Sequence, residues 1–285
     1  MKNISKNQRG VALIAVLWLV AAMGLIMTGI VKSVRNEAQS VGLQRQAVVA
    51  SAQADAVILL ALQNLQVQSK EPQNGMQLIP VKFGTSTNQV LVQPLNGFID
   101  INNASPSLLA EMYRYAGGLN PEAAQTLAQA TAAARQTKNT KGEVQGFDSI
   151  EDLLQVPQMT YSLYAKIFGL ITADLKDGSG RVNALAAPAD VLQVLTGGDA
   201  SRAAALVARR KADPNVMDTS FLKPEHIEMT SSRSLRLQVQ VDLPGGGWSQ
   251  KAWFVHWGAD PRTGLPWRVL GTQQSMQHPP LNSSS

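Results

Sequence analysis

Cysteine is missing from all 285 residues of this chain, which excludes disulfides and thiolate metal sites. Oxidising spaces permit disulfides without requiring them, so this absence assigns no compartment. Only three histidines are present, His226, His256 and His278, and none stands at metal-ligand spacing from another. Gly178-Ser179-Gly180 is not the Gly-x-Ser-x-Gly nucleophile elbow, and the Walker and Rossmann glycine patterns are absent. These gaps point away from an enzyme. A net charge of +5 is modest for the length and is no nucleic-acid signature. Five of the basic residues, Lys2, Lys6, Arg9, Lys32 and Arg35, sit in or beside one N-terminal segment.

That segment is the most informative part of the chain. Its leader holds Lys2, Lys6 and Arg9 but no acid and runs into Gly10. An uncharged apolar stretch of about 21 residues, Val11 to Val31, follows, the length a helix needs to cross a bilayer. A secretory signal peptide would have a shorter core and small residues for cleavage, whereas this run ends in Lys32-Ser33-Val34-Arg35. A signal anchor would keep the three leader charges cytoplasmic against two beyond the span. Arg9-Gly10 followed at once by an unbroken apolar helix resembles a third pattern, the type IV prepilin leader. That resemblance implies peptidase cleavage between Gly10 and Val11 and N-methylation of Val11. Most pilins carry glutamate at the fifth mature residue, where it pairs with a neighbour's terminal amine. Here that position is Ala15, so the usual axial ion pair is missing.

The helical pattern outlasts the membrane length. From Lys32 to Lys70 there is no proline, and Gly42 is the only glycine. Val34, Val41 and Val48 fall at heptad spacing, and Ala38, Ala52, Ala56, Leu59, Leu62 and Leu65 extend the same stripe. Pro72 and Gly75 end it. A continuous helix from Val11 to Lys70 spans on the order of 90 Å.

Strand patterns stand on both sides of a helical block. Leu78 to Phe83, Gln89 to Val92 and Phe98 to Ile101 read as extended, and Leu235, Leu237, Val239 and Val241 alternate with polar residues. Trp253, Val255 and Trp257 alternate again after a glycine turn, and Trp267, Val269 and Leu270 suggest a last short strand. The expected organisation is a leader at 1–10, a spine helix at 11–70 with its transmembrane part at 11–31, and a β domain at 71–101 and 222–275. A helical insert occupies 102–221, and a disordered tail 276–285. The fold class is α+β, a long N-terminal helix packed on an antiparallel sheet.

The insert carries a weak duplication. Ile99-Asp100-Ile101-Asn102-Asn103-Ala104-Ser105-Pro106-Ser107-Leu108-Leu109 aligns with Val182-Asn183-Ala184-Leu185-Ala186-Ala187-Pro188-Ala189-Asp190-Val191-Leu192. Each unit starts extended, places proline near the first helical position and meets a Gly-Gly break, Gly117-Gly118 or Gly197-Gly198. Ser105 is a good N-cap, and Asp148 and Glu151 have capping-box spacing.

Units of the form Ile-Asn-x-Asn-x-Ala-x-x-x-Leu alternating with Phe-x-Ser-x-Glu-Leu segments are similar to the insert of the K-type minor pseudopilins of type II secretion (general secretion pathway protein K family). The likeness runs from Arg9 to about Trp257. It departs where Leu185 replaces the second asparagine, a change expected to alter a local turn. The resemblance implies a pilin-type sheet interrupted by an all-helical insertion of helix-hairpin-helix or SAM-like type. It implies a single-pass bacterial inner-membrane protein with its globular domain in the periplasm. Such a subunit caps the tip of the pseudopilus, helps to initiate it and supports protein export. Its implied partners are prepilin peptidase, the I-type and J-type minor pseudopilins, the major pseudopilin filament, and a secreted substrate or the outer-membrane channel.

The alternative is a membrane-anchored helix-hairpin-helix receptor for DNA uptake. That chemistry needs a Gly-x-Gly hairpin whose backbone N–H groups meet phosphate, and no break in the insert has that spacing. Arg202, Arg209, Arg210 and Lys211 could form a basic patch, or close a helix and complement its dipole. No nucleic acid is therefore expected. No cofactor is expected either, apart from calcium, for which Asp148, Glu151 and Asp152 are the candidate oxygen donors.

Overall fold

The computed structural model describes residues 8–68, 74–137, 146–173, 175, 178–212, 218–243 and 246–277. The leader through residue 7, the last two residues of the expected spine and the tail from 278 lie outside the described residues, as do the side chains of Arg9, Val11, Lys32 and Arg35. The chain divides into two compact units, one made of Met1–Ala52, Asp242–Ser249 and Met276–Ser285, the other of Gln53–Val241 and Gln250–Ser275.

Helix α1 runs without a break from Gln8 to Gln68, 61 residues. It holds an apolar stretch at Leu13–Met27, and a second at Ser40–Gln68 that is long and apolar enough to cross a membrane but is 39% buried. That burial marks the later part as core helix: Ala54, Val57, Ile58, Ala61, Leu62 and Leu65 are almost wholly enclosed at helical spacing. The expected stripe is corrected here. Val34, Val41, Val48, Ala52 and Leu59 are exposed, Ala56 is half-buried, and Leu62 and Leu65 are buried, while the side chain of Ala38 lies outside the described residues. Apolar residues occur all round this helix, so periodicity alone did not choose the face.

In the second unit, Asp55 of α1 accepts from Lys251 Nζ at 2.6 Å and from Trp253 Nε1 at 2.9 Å. Both donors belong to β8 (Trp248–Trp257) of a five-stranded sheet. β1 (Gln77–Phe83) and β2 (Ser86–Pro94) form an antiparallel hairpin, and β2 also runs antiparallel to β7 (Ser234–Asp242), with Val90 opposite Val239. The order is β1-β2-β7-β8-β9, so two neighbouring strands, β2 and β7, are separated in sequence by the whole insert. β9 (Trp267–Gln277) is longer than its short apolar signal suggested. Trp257 and Trp267 are buried and stacked, with ring centroids 6.3 Å apart.

The described part of the insert is not all-helical as expected: two short parallel strand pairings interrupt it, one for each repeat. β3 (Ile99–Asp100) pairs with β4 (Ile171–Thr172), and β5 (Val182–Asn183) with β6 (Ile227–Glu228), so that β4 and β5 fall midway along the insert. Helices α2 (Pro106–Tyr115), α3 (Pro121–Ala134), α4 (Tyr161–Ile167), α5 (Ala189–Leu195) and α6 (Ala200–Ala212) lie between them. One apolar core joins both repeats, with Leu108, Leu109, Met112 and Leu127 from the first and Val191, Leu192 and Leu206 from the second. Inside it the Tyr113 hydroxyl meets Thr131 Oγ1 at 2.8 Å, and burial pushes its pKa up to about 12.

Candidate functional site

Two regions carry the features singled out in the sequence, the first half of α1 and the insert. Gly10 and Val11 lie inside α1, and Ala15 is exposed on it. The large apolar residues from Leu13 to Met27 are 59–75% exposed, Trp18 among them at 73%. Each such side chain would gain roughly 1.5–3 kcal/mol on leaving water. The exposed run Leu13–Met27 is by itself shorter than a bilayer span, and only with its uncharged flanks, Val11 to Val31 in the sequence, does it reach that length. Ala15 brings no charge into it, so the stretch can enter lipid or a helix bundle without an ion-pair partner.

The insert begins each repeat with the same backbone device. Asp100 Oδ1 accepts the Asn102 N–H at 2.9 Å, and Asn183 Oδ1 accepts the Leu185 N–H at 3.0 Å. A helix then starts, capped in the first repeat by Ser105 Oγ on the Leu108 N–H at 3.2 Å, as its sequence foretold. An arginine at the end of the second helix of each repeat returns to the carbonyls of this turn. Arg135 donates to Ile101 O and Ala104 O, and Arg210 to Ala184 O, Leu185 O and Ala187 O. The duplication is thus physical as well as textual.

Leu185 does not alter its turn, contrary to expectation. The turn is made by Asn183, and the lost function belongs to the side chain. Asn102 in the first repeat donates to Phe147 O and Ala173 O and accepts the Phe147 N–H at 2.7 Å. It clamps the Phe-x-Ser segment to the repeat, and leucine cannot.

The acids of that segment serve a cap one residue later than expected. Asp152, not Glu151, closes the 3-10 helix Ile150–Gln155, accepting N–H groups from Asp148 at 2.8 Å and Ser149 at 3.0 Å. Glu151 instead bonds the Tyr164 hydroxyl; burial and this carboxylate raise the tyrosine's pKa. Among the described residues, no group of three or more histidine or acidic side chains stands close enough to hold a metal ion.

The Gly-Gly breaks spend their amides internally. The Gly117 and Gly118 N–H groups bond Met112 O and Arg114 O, and those of Gly197 and Gly198 bond Val194 O and Gln193 O. They satisfy the last carbonyls of α2 and α5, as helix ends require, and do not point at a phosphate. Asp199 accepts the Arg202 N–H at 3.0 Å and pairs with its side chain at 3.2 Å, placing a carboxylate at the start of α6. Arg210 is buried on its three carbonyls, so the suspected basic patch loses its centre.

One cluster had no sequence signal. His226, 1% exposed, stands with Nε2 3.0 Å from Ser107 Oγ and Nδ1 3.3 Å from Glu111 Oε2. Lys223 also pairs with Glu111. The cluster ties α2 of the first repeat to the segment before β6. Its members are too far apart in sequence for spacing to have found them.

No protein-family model matches the chain, and no curated protein matches it. Among solved structures it is similar to a chain in the complex of GspK, GspI and GspJ from the type 2 secretion system of enterotoxigenic Escherichia coli. The identity is 14% and the TM-score 0.49, over 84% of this chain and 99% of that chain.

Proposed function

We propose that the chain is a minor pseudopilin of the K type, cut after Gly10, N-methylated at Val11 and placed at the tip of a type II secretion pseudopilus. The observation that carries this reading is α1. A single helix begins beside the Arg9-Gly10 leader, exposes an uncharged apolar stretch, and ends as the core helix of a sheet split by a repeat-bearing insert. Its first half would lie in the inner membrane and then pack against neighbouring pseudopilin helices, where close contact rather than hydrophobic burial drives association. Ala15 removes the charge that an internal subunit would need to pair, which favours an end position. The globular part would lie in the periplasm with the I-type and J-type partners. The mechanism is assembly and not catalysis.

The test is N-terminal mass analysis of the membrane-extracted protein, expected to show methylated Val11. Gly10→Ala should leave the leader attached, and an N-terminus still at Val11 in that variant sinks the prepilin reading. Mature protein should retain I-type and J-type partners in pull-down. Salt-sensitive binding of duplex DNA would instead favour the DNA-receptor reading.

A further inference from the structure

A cleft of about 640 Å³ lies between one face of the sheet and the insert. Strand alternation builds its floor. On β7, Leu237 and Val239 are buried, while Arg236 and Gln238 point the other way and line the cleft. On β8, Lys251 and Trp253 turn to Asp55 of α1, so Gln250 and Phe254 line the cleft with them. The volume falls within the roughly 300–1,000 Å³ of ligand pockets.

Among the described residues, no carboxylate pairs with Arg236. Its guanidinium sits between the rings of Phe98 and Phe254, 5.7 and 5.9 Å from their centroids. Its Nε is buried without a hydrogen-bond partner, and no ion pair reaches it from the described residues. Burial alone lowers its pKa, with no carboxylate to offset the effect. Two aromatic faces can hold a cation in place but satisfy none of its N–H donors. Asp148, Glu151 and Phe168 line the same cleft from the insert. The cleft thus takes a cation from the sheet and two acids from the insert, with apolar rings and glutamine amides also in its lining.

We infer that this cleft binds a mixed-charge polypeptide segment, whose carboxylate meets the Arg236 guanidinium, whose apolar side chain packs on Phe254 and Phe168, and whose basic group faces Asp148 and Glu151. The amides of Gln238 and Gln250 can both donate to and accept from the peptide groups of such a segment. The inference stands on the cleft alone and holds whether or not the chain enters a pseudopilus.

The test is fluorescence polarisation with the full chain in detergent micelles and a dye-labelled, end-capped peptide of lysine, leucine, phenylalanine and glutamate. Saturable binding is expected, weakened about tenfold or more when glutamine replaces the peptide glutamate or in Arg236→Gln, with Arg236→Lys between them. In the Arg236→Gln protein the two peptides should bind alike, because the interaction that distinguishes them is gone. Asp148→Asn with Glu151→Gln should weaken the peptide through its lysine. Equal binding of both peptides by the unaltered chain overturns the inference, as does no saturable binding at millimolar peptide. Displacement by millimolar acetate alone would show a site for free carboxylates and overturn the polypeptide assignment. Because the peptide pair is compared on the unaltered chain, a misfolded Arg236→Gln leaves the test intact.

Discussion

The two repeats of the insert share a backbone plan and satisfy it with different polar chemistry. At the turn that opens each, the first repeat places Asp100 and the second Asn183. Asp100 is 3% exposed; burial raises its pKa, against the opposing effects of bonds from Asn103 and Asn102 and the charge of Arg135. Asn183 is a neutral amide and spends its N–H donors on Asn74 O, Asn74 Oδ1 and Thr230 O. A carboxylate can only accept, whereas an amide can also donate, so Asn183 itself ties the second turn to the segment after β6. In the first turn Asn102 and Asn103 make the matching bonds, to Ala173 O and Leu175 O after β4. The raised Asp100 value also gives the first repeat its own acid dependence. An acid with a folded pKa above its unfolded value contributes stability below the ordinary 3.8 that is lost as pH rises through the folded value. The second turn has no such term.

The largest expected break in this comparison comes from the returning arginines. Arg210→Ala would leave three carbonyls without their donor in a site 8% exposed, costing about 4 kcal/mol. Arg135→Ala removes two bonds at a less enclosed position and should cost about 2 kcal/mol. Urea denaturation followed by circular dichroism measures both, and equal costs would show that the repeats lean on their arginines alike.

Next in size is the clamp. Asn102→Leu copies the second repeat into the first and should cost about 2–3 kcal/mol by orphaning the Phe147 N–H and its carbonyl. Hydrogen exchange at Phe147 should accelerate. Leu185→Asn, the reverse exchange, should change stability by less than about 1 kcal/mol, since the turn keeps its Asn183 bond.

The glycine breaks differ by less. A Cβ at Gly198 would stand 2.8 Å from Tyr115 Cδ1 with φ at +90°, while at Gly118, with φ at +78°, it would meet nothing closer than 3.7 Å. Gly118→Ala should therefore cost about 1 kcal/mol from backbone strain, and Gly198→Ala about 1 kcal/mol more. Thermal melts of the two variants would show the order.

The smallest effect is the acid limb of the Glu111 cluster. Burial would raise this carboxyl, but bonds from His226 and Lys223 outweigh it and hold the pKa below the ordinary 4.5. The unfolded chain then binds more protons as the solution is acidified, so the stabilisation is full above 4.5 and is lost as pH falls through the folded value. Glu111→Gln should flatten the decline below that point by about 1 kcal/mol or less. An unchanged acid limb would show that this tie between α2 and the segment before β6 carries little energy.

Local chemistry was the legible part of this chain. Ser105 before Pro106 announced a capped helix, and the cap is there. Strand alternation on both sides of the helical block announced a split sheet, and β2 indeed neighbours β7. These signals survive because caps and strand faces act within a few residues. The capping box after Phe147 fell one residue out of register because Asp148, Glu151 and Asp152 offer competing spacings that only the path of the backbone resolves. The outward-facing Val34, Val41 and Val48 misled for a different reason: on a helix apolar all round, spacing cannot say which face a sheet will cover.

By itself the sequence determined a basic N-terminal segment running into Gly10, a helix too long for a membrane alone, a duplicated turn-and-helix unit and a sheet interrupted by it. All of these follow from interactions between near neighbours in the chain. Only the tertiary structure decided which face of α1 is core, that Asn102 holds Phe147, that His226 joins Ser107 to Glu111, and that Arg236 lies over the rings of two phenylalanines. Each of these is a meeting of groups distant in sequence. What such groups do depends on burial and partnership, which no local spacing encodes.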